Sequence, residues 1–357
     1  MAMERCSSTG KESKDGLPGD ASGNPTLHPT KGVQAAMKRA MIVSLALILV
    51  LSAVAMADGI GAFSAFKNGV GARALAMGGA FVAVANDATA ACWNPAGLAM
   101  LNDTRLAGMS TDLYGIGATH QYVGAVTTFA NLGVGLGWER AAIDGLAVTG
   151  EGVNGAAFTW VEQAIVGSLA TSVMDVAMAG ANVKYYMADT GLGDTASGFG
   201  FDLGLLVSLG DMFVIGVNAK DLAGSSLDWS GGAKDTITGM YKVGLAMKLA
   251  EDKLVLATDV DFDGSSLGDT HVGVEFKVIN ELALRGGVVL TNNFQDFYFT
   301  VGAGINVAGL YVDAAYVLNQ TLGNTLVLSA EFSLGGLLGE EPVGTETVKP
   351  ATTPTTK

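Results

Sequence analysis

From residue 105 onward, apolar residues alternate with polar or small residues over long segments of the chain. At 271–278, for example, the sequence His-Val-Gly-Val-Glu-Phe-Lys-Val places an apolar side chain at every second position. The same pattern recurs at 213–220, 241–249 and 297–307. Successive side chains of a β-strand point to opposite faces, so a period of two predicts strands with one apolar and one polar face.

The length and number of these segments indicate what kind of sheet they form. Strands of globular proteins average about 5 to 6 residues, whereas strands that cross a bilayer need about 9 to 11. The segments here are of the longer kind, and their number is even, as a closed bacterial barrel requires. The sequence therefore predicts an all-β fold, a 14-stranded antiparallel transmembrane β-barrel. The predicted strands are 105–113, 119–129, 132–141, 162–172, 175–186, 198–209, 213–222, 238–249, 253–263, 269–278, 281–291, 297–307, 309–318 and 324–334.

The connections between these segments alternate in length. Those at 130–131 and 210–212 are short, whereas those at 142–161 and 223–237 are longer. A transmembrane barrel has tight periplasmic turns at one rim and longer loops at the outer rim. A soluble β-sandwich is the alternative, but its Greek-key links would not produce a strict alternation. We therefore expect both ends of the chain to lie in the periplasm.

The stretch from Gly71 to Leu98 does not share the strand pattern. It contains Asn94-Pro95-Ala96-Gly97, in which the proline restricts its own backbone and that of the preceding residue, and the glycine permits a turn. On spacing alone this stretch could be a linker of short helices and loops. Its position, directly before a first strand that enters from the periplasm, favours an N-terminal plug at 58–104.

Charged residues fall on the polar faces of the predicted strands. A charge that faces lipid near the midplane costs about 2 to 4 kcal/mol, so we expect these residues to line the lumen. Glycines on the same faces are expected to leave room in the lumen, which could hold water and balanced charge. The candidate lumen-lining residues are Lys220, Lys242, Lys248, Asp259, Glu275, Lys277, Arg285 and Glu331.

The N-terminal region carries the features of an export signal. Lys38 and Arg39 precede an uncharged apolar run, 40–57, that ends in Ala-Met-Ala. A basic start, an apolar middle and a small-x-small end predict a signal peptide at 37–57 that is cleaved before Asp58. A transmembrane anchor is the alternative, although the run is at the short edge of a spanning length.

The remaining boundaries follow from composition. Residues 1–36 are polar and contain three prolines, and we interpret them as a spurious or disordered extension. Residues 105–334 form the predicted barrel, and the polar residues 335–357 are a predicted disordered periplasmic tail. The predicted location is the cell outer membrane.

The composition is consistent with a membrane barrel and excludes a disordered chain and a nucleic-acid-binding protein. The 357 residues are 49% hydrophobic and only 15% charged, with 50 glycines and a net charge of -14. A chain so apolar is not a disordered one, and its acidity leaves no basic patch for nucleic acid. If the signal peptide is removed, Cys92 is the remaining cysteine, which excludes an intramolecular disulfide and a Cys-based zinc site.

No pattern of residues predicts catalysis, a metal or a cofactor. The run Asp259-Val-Asp-Phe-Asp-Gly264 resembles the start of a calcium-binding EF-hand loop, but Thr270 stands where that loop needs a bidentate glutamate. We expect its aspartates instead to share one strand face and point into a wet lumen. His120 and His271 lie outside any hydrolase or metal-ligand motif. An outer-membrane lipid hydrolase is an alternative without a supporting motif, and the chain is predicted not to be an enzyme.

Two groups of residues resemble a known family. The stretch Gly71-Ala-Arg-Ala-Leu-Ala-Met-Gly-Gly-Ala-Phe-Val-Ala-Val-Ala-Asn-Asp-Ala88, followed by Trp93-Asn-Pro-Ala-Gly-Leu98, resembles the N-terminal signature of PorV/PorQ-type outer-membrane proteins. That family lies within the FadL-like group of hydrophobic-compound transporters. Later blocks are also similar to this group, and they are Gly200-Phe-Asp-Leu-Gly204, Asn218-Ala-Lys-Asp-Leu-Ala-Gly224, Val272-Gly-Val-Glu-Phe276 and Leu282-Ala-Leu-Arg-Gly286.

The resemblance implies a 14-stranded barrel with its N-terminal segment folded into the lumen as a plug. In FadL relatives the plug gates the entry of fatty acids or aromatic hydrocarbons, whereas PorV relatives hold exported proteins at the surface in type IX secretion. The implied plug motif is Trp93, Asn94, Pro95, Ala96 and Gly97. The expected partners are outer-membrane lipid and either hydrophobic small molecules or secreted proteins. The sequence is therefore consistent with two functions, a transport channel and a non-transporting secretion component.

The predicted export signal can be tested at the N-terminus of the mature protein. Because the small-x-small site ends at Ala57, the mature protein should begin at Asp58. Intact mass spectrometry of protein extracted from the envelope measures this directly. A mature chain that retains residues before Asp58 would contradict the predicted cleavage.

Overall fold

The structure, a computed structural model, describes residues 62–129, 131–147, 155, 157–222, 224–263, 266–291 and 294–337. The predicted extension, the signal peptide and residues 338–357 of the tail lie outside the described residues. Residues 335–337, predicted as the start of a disordered tail, belong instead to a short helix, Leu334–Leu337. None of the helices in the described part of the chain is long and apolar enough to span a bilayer.

Sixteen strands form one antiparallel sheet, and fourteen of them close into a barrel. Strands β1 to β7 and β10 to β16 pair in order around the barrel, which closes between β1 and β16 with Arg105 opposite Ser333. The predicted 14-stranded antiparallel barrel is therefore confirmed. The strands are β1 Arg105–Leu113, β2 Ala118–Phe129, β3 Leu132–Ala147, β4 Ala157–Met174, β5 Ala177–Asp189, β6 Thr195–Leu209, β7 Phe213–Lys220, β8 Ser225–Trp229, β9 Lys234–Ile237, β10 Met240–Leu249, β11 Leu254–Asp263, β12 Ser266–Ile279, β13 Leu282–Thr291, β14 Asp296–Val307, β15 Leu310–Leu318 and β16 Thr325–Ser333.

The two faces of the barrel wall have opposite character, as the alternation predicts. In β12 the apolar side chains of Val272 and Phe276 are 46% and 48% exposed, whereas Glu275 between them is 2% exposed. Exposed apolar side chains recur on the outer face of the other barrel strands. A continuous outward apolar band around a closed barrel is the surface that lipid covers.

The connections alternate between two rims. The rim where β1 begins and β16 ends has the connections 130–131, 175–176, 210–212, 250–253, 280–281 and 308–309, and we call it the short-turn rim. We call the opposite end the loop rim. The loop-rim connections differ in length from the sequence prediction, because several strands run further than predicted; the connection between β3 and β4, for example, is 148–156 in place of 142–161. The connection between β7 and β10 contains the extra hairpin β8–β9, which pairs with β6. The connection between β11 and β12 is only 264–265, because their pairing continues past an irregularity to Asp263 and Ser266.

Residues 62–104, which we call the plug, lie inside the barrel. The plug contains a 3-10 helix at Ser64–Asn68, α1 at Ala72–Ala76, α2 at Ala90–Trp93 and a second 3-10 helix at Pro95–Met100. Its apolar side chains, including Met77, Phe81 and Leu98, are buried in one cluster with inward residues of the wall. The placement excludes a linker outside the barrel for the described part of this segment.

Glycines on the inner wall are the points where the plug backbone touches the barrel. A Cβ atom added at Gly216 would lie 2.4 Å from the carbonyl oxygen of Val82, and one added at Gly273 would lie 2.4 Å from that of Met77. These distances are far inside van der Waals contact, so the positions accept no side chain without movement. The inward glycines were expected to leave room in the lumen, and at these positions the plug backbone occupies that room.

Gly287 and its neighbour Gly286 provide a matched test of this packing. A Cβ at Gly287 would lie 2.3 Å from the amide nitrogen of Gly78, whereas a Cβ at Gly286 would meet nothing closer than 3.8 Å. We expect Gly287→Ala to destabilise the protein by about 1 to 3 kcal/mol through overpacking, and Gly286→Ala to have little effect. Heat-modifiable migration in detergent gels, followed against temperature, measures the difference. Equal unfolding temperatures for the two variants would contradict the observed contact.

Candidate functional site in the barrel lumen

The predicted plug motif holds the plug together and fastens it to the wall. Asn94 is fully buried, and its side-chain amide donates to the carbonyl oxygens of Val82 at 3.0 Å and Leu205 at 3.1 Å. Its side-chain oxygen accepts from the backbone N–H of Ala96 at 3.2 Å and so caps the 3-10 helix that Pro95 begins. One side chain therefore joins two parts of the plug to strand β6.

The flanking motif residues act in the same way. The indole N–H of Trp93 donates to the carbonyl oxygen of Val70 at 2.8 Å, and the Trp93 carbonyl accepts from Asn218 of β7 at 2.6 Å. Gly97 lies so close to Ala85 that an added Cβ would be 2.0 Å from its carbonyl oxygen. Ala96 is also fully buried. The motif is thus a folding and docking element of the plug.

Inward polar side chains satisfy the irregular backbone of the plug. Backbone polar groups that are buried away from water need partners, and at membrane depth these must come from the protein. One carboxylate oxygen of Asp259 accepts from the N–H groups of both Phe81 and Val82, at 2.7 and 2.8 Å. Further side-chain bonds to plug backbone join Asn182 to Ala91, Tyr122 to Ala88, Thr300 to Ala76, His271 to Gly78 and Glu331 to Ala88.

An ion-pair network fixes the plug near the short-turn rim. Arg73 of α1 donates twice to Glu275, at 2.9 and 3.0 Å, and Arg285 donates to the same carboxylate at 2.6 Å. Arg73 also reaches Asp87 at 3.1 Å, and Arg285 reaches Asp313 at 2.5 Å. Burial alone would lower the pKa of Arg73, but attraction to Glu275 and its neighbours raises it overall, so this guanidinium remains charged.

The candidate lumen-lining residues lie in different surroundings, and only some of them contact the plug. Asp259, Glu275, Arg285 and Glu331 contact the plug or its ion-pair network, and Glu331 also binds Arg105 at 2.9 Å. Lys242 is buried and pairs with Asp261 at 2.5 Å. Lys220 is half-buried beside a small cavity of about 40 Å³. Lys248 is half-buried with Asp252 at 3.8 Å, and Lys277 is exposed, both near the short-turn rim.

The aspartates of the EF-hand-like run differ in their surroundings, because Asp259 is covered by the plug whereas Asp261 lines open space in the lumen. Asp259 binds plug backbone, and Asp261 binds Lys242 and, at 3.3 Å, His271. The side chain of Asp263 and residue 264 lie outside what the structure describes. Within the described ranges, no group of three or more His, Cys, Asp or Glu side chains is placed to hold a metal ion.

The sequence prediction missed several residues that the structure brings to the plug. Arg73 and Asp87 are the only charges between Gly71 and Leu98, and their opposite signs in an apolar stretch were a usable signal for a buried pair. Asn182 and Asn218 carried no such signal. An asparagine on a strand face does not reveal which carbonyl it will meet.

A cavity lies between the plug and the loop rim. Its volume is about 280 Å³, and its lining reaches the loop-rim connections at Tyr114 and Asn319. Plug residues Leu75, Gly79 and Trp93 contribute to it from below. A molecule entering the barrel from the loop rim would meet this cavity before the plug.

A closed barrel with an outward apolar band and an internal plug defines an outer-membrane-type transmembrane β-barrel. No protein-family model matches the sequence, and a search of curated proteins finds no match. Solved structures with a similar fold include the toluene transporter TodX of P. putida, with a TM-score of 0.56 and 15% identity over 74% of this chain and 99% of that chain. The monoaromatic hydrocarbon channel CymD has a TM-score of 0.55 and 13% identity, covering 74% of this chain and 98% of that one. A FadL homologue of Pseudomonas aeruginosa has a TM-score of 0.54 and 14% identity with the same coverages. At these identities the likeness shows a shared fold, that of the FadL-like channels.

Cys92 offers a direct measure of how firmly the plug is seated. Burial raises the pKa of its thiol, so in the folded protein it should react slowly with maleimide. Glu275→Gln removes the charge that pairs with Arg73, and breaking a buried pair costs about 3 to 5 kcal/mol. We therefore expect this variant to label at Cys92 more than tenfold faster.

The control is Glu251→Gln in an exposed turn of the short-turn rim, which should label like the wild type. The labelling uses the exported protein, or a Cys6→Ser chain, so that Cys92 is the single thiol. Wild-type labelling as fast as that of the denatured protein would contradict the buried position.

Proposed function

We propose that this protein is an outer-membrane channel or transporter for small, hydrophobic compounds. The observation that carries the proposal is the cavity of about 280 Å³ between the loop rim and the plug. Ligand pockets are typically concave sites of about 300 to 1,000 Å³, so the cavity suits a small ligand. The similar fold of two hydrocarbon channels supports the same function.

Passage through this barrel requires the plug to rearrange. The plug backbone is in contact with the wall at Gly216, Gly273 and Gly287, which belong to three different strands. The Arg73–Glu275 pair and the bonds of Asp259 must also break or shift if the plug moves as a unit. We infer a gated route in which ligand binding in the cavity precedes plug movement.

The division of the chain forms part of the proposal. Residues 37–57 direct export and are removed, 58–104 form the plug, 105–334 form the barrel, and 335–357 are a periplasmic tail. Residues 1–36 are an extension without a function in the mature protein. The motif 93–97 is the element that seats the plug.

A PorV/PorQ-type role in secretion or surface assembly is the second candidate. The observation that favours it is the tight seating of the plug, because a barrel that never conducts would need such a plug. Contacts with secreted proteins would then involve the loop rim, and no small molecule would cross.

Uptake of a labelled aromatic compound separates the two candidates. We expect Gram-negative cells that produce the protein to take up labelled toluene severalfold faster than cells with an empty vector, because the channel bypasses the lipopolysaccharide barrier. Tyr316→Phe, on the lipid face, should not change the rate. Planar-bilayer conductance of a variant lacking residues 94–98 gives an independent measurement. Absence of both uptake and conductance in that variant would exclude transport and leave the secretion role.

A further inference from the structure

We propose that the cavity at the loop rim selects small, neutral molecules in which a hydroxyl group is attached to an apolar ring or chain, in preference to pure hydrocarbons. The inference rests on the proposed channel function and specifies the substrate class of that same site. It comes from the chemistry of the cavity wall.

The wall of the cavity has a less polar side and a polar side. The less polar side is formed by neighbouring strands β1, β15 and β16, which contribute Leu113, Val317 and Val327. Two threonines also line this side, but Thr111 already donates to Leu326 and Thr325 already accepts from Tyr114. The polar side is formed by strands β10 to β12 and β14, and it carries Lys242, Asp261, Asp269, His271 and Tyr298. A ligand that satisfies both sides must itself be amphipathic.

Two groups on the polar side have no hydrogen-bond partner among the described residues. The hydroxyl of Tyr298 is one, and the carboxylate of Asp269 is the other. An ionised carboxylate only accepts hydrogen bonds, whereas a tyrosine hydroxyl can both donate and accept. A ligand hydroxyl can donate to Asp269 or form a hydrogen bond with Tyr298, which a hydrocarbon cannot do. Both groups are half-buried, and a hydrocarbon that covered them would remove them from water without supplying a partner, so such a site discriminates against hydrocarbons.

The charges around the cavity disfavour an ionic ligand of either sign. Lys242 is already paired with Asp261 at 2.5 Å, and His271 lies 3.3 Å from the same carboxylate. Lys67 of the plug and Asp269 of the wall add one further charge of each sign. The two lysines and two aspartates carry formal charges that cancel, so the cavity offers no net attraction to offset the desolvation of an ionic ligand. A neutral hydroxyl compound does not lose that solvation energy.

The volume limits the ligand to about one ring with a short substituent. An apolar protein cavity of about 150 Å³ holds benzene, and this cavity is about 280 Å³. Benzyl alcohol therefore serves as the probe, with toluene, benzoate and benzylamine as matched one-ring compounds that lack the hydroxyl or carry a charge.

Isothermal titration of the detergent-purified protein at pH 7 tests the proposal. We expect benzyl alcohol to bind about tenfold more tightly than toluene, the difference that one net hydrogen bond makes. Tyr298→Phe and Asp269→Ala should each reduce the affinity for benzyl alcohol severalfold and leave the affinity for toluene unchanged. Tyr316→Phe on the lipid face is the control, and it should bind like the wild type. Partition into detergent cancels when variants are compared with one probe, and toluene is compared with benzyl alcohol at free concentrations measured in matched micelle solutions without protein.

Three results would overturn the inference. The first is tighter binding of toluene, benzoate or benzylamine than of benzyl alcohol, which would assign the site to hydrocarbons or ions. The second is an equal loss of both neutral probes in Tyr298→Phe, which would make the hydroxyl structural. The third is the absence of binding by any probe. The toluene uptake measurement reports on permeation regardless of preference, so in each case the channel function stands or fails separately.

Discussion

Irregular backbone inside a membrane-spanning barrel has little water to satisfy its polar groups, so the wall must supply the partners. The structure meets this constraint with inward side chains from strands around the whole barrel. Asp259 accepts two plug N–H groups at once, and Asn218, Asn182 and Thr300 donate to plug carbonyls. The polar inner face is therefore a set of partners for a particular chain path, and the plug could not follow another path without leaving these groups unpaired.

Close approach of the plug to the wall follows from the same constraint. Side chains as short as asparagine and aspartate reach plug backbone only if that backbone lies against the wall, and Gly216, Gly273 and Gly287 permit this approach. The ion pairs of Arg73 add a charged contact at the short-turn rim. A firmly seated plug is compatible with gated transport. The plug can move if its hydrogen bonds and ion pairs to the wall rearrange in a conformation that is only a minor part of the population.

The part of the lumen between the plug and the loop rim differs chemically from the part near the short-turn rim. Near the short-turn rim, wall and plug neutralise one another through the Arg73 and Arg285 network, whereas at the loop rim Asp269 and Tyr298 face a cavity without partners in the described structure. Buried polar groups are usually paired, so groups left unpaired in a cavity are where ligand recognition is expected. The plug thus divides the lumen into a closed base and a chemically two-sided upper chamber.

The sequence by itself determined the barrel. A period of two over long segments requires two unlike faces, and an even number of such segments with alternating connections is satisfied by closure of the sheet. The sequence also marked residues 93–97 as exceptional, since Pro95 and Gly97 interrupt any regular element. What it could not determine is which inward residues meet which plug atoms. Period two places Asp259, Lys248 and Lys277 on polar faces alike, yet only Asp259 contacts the plug, because height along the strand and the path of the plug decide it. Those are properties of the closed barrel, set by contacts between residues far apart in the chain, and only the tertiary structure contains them.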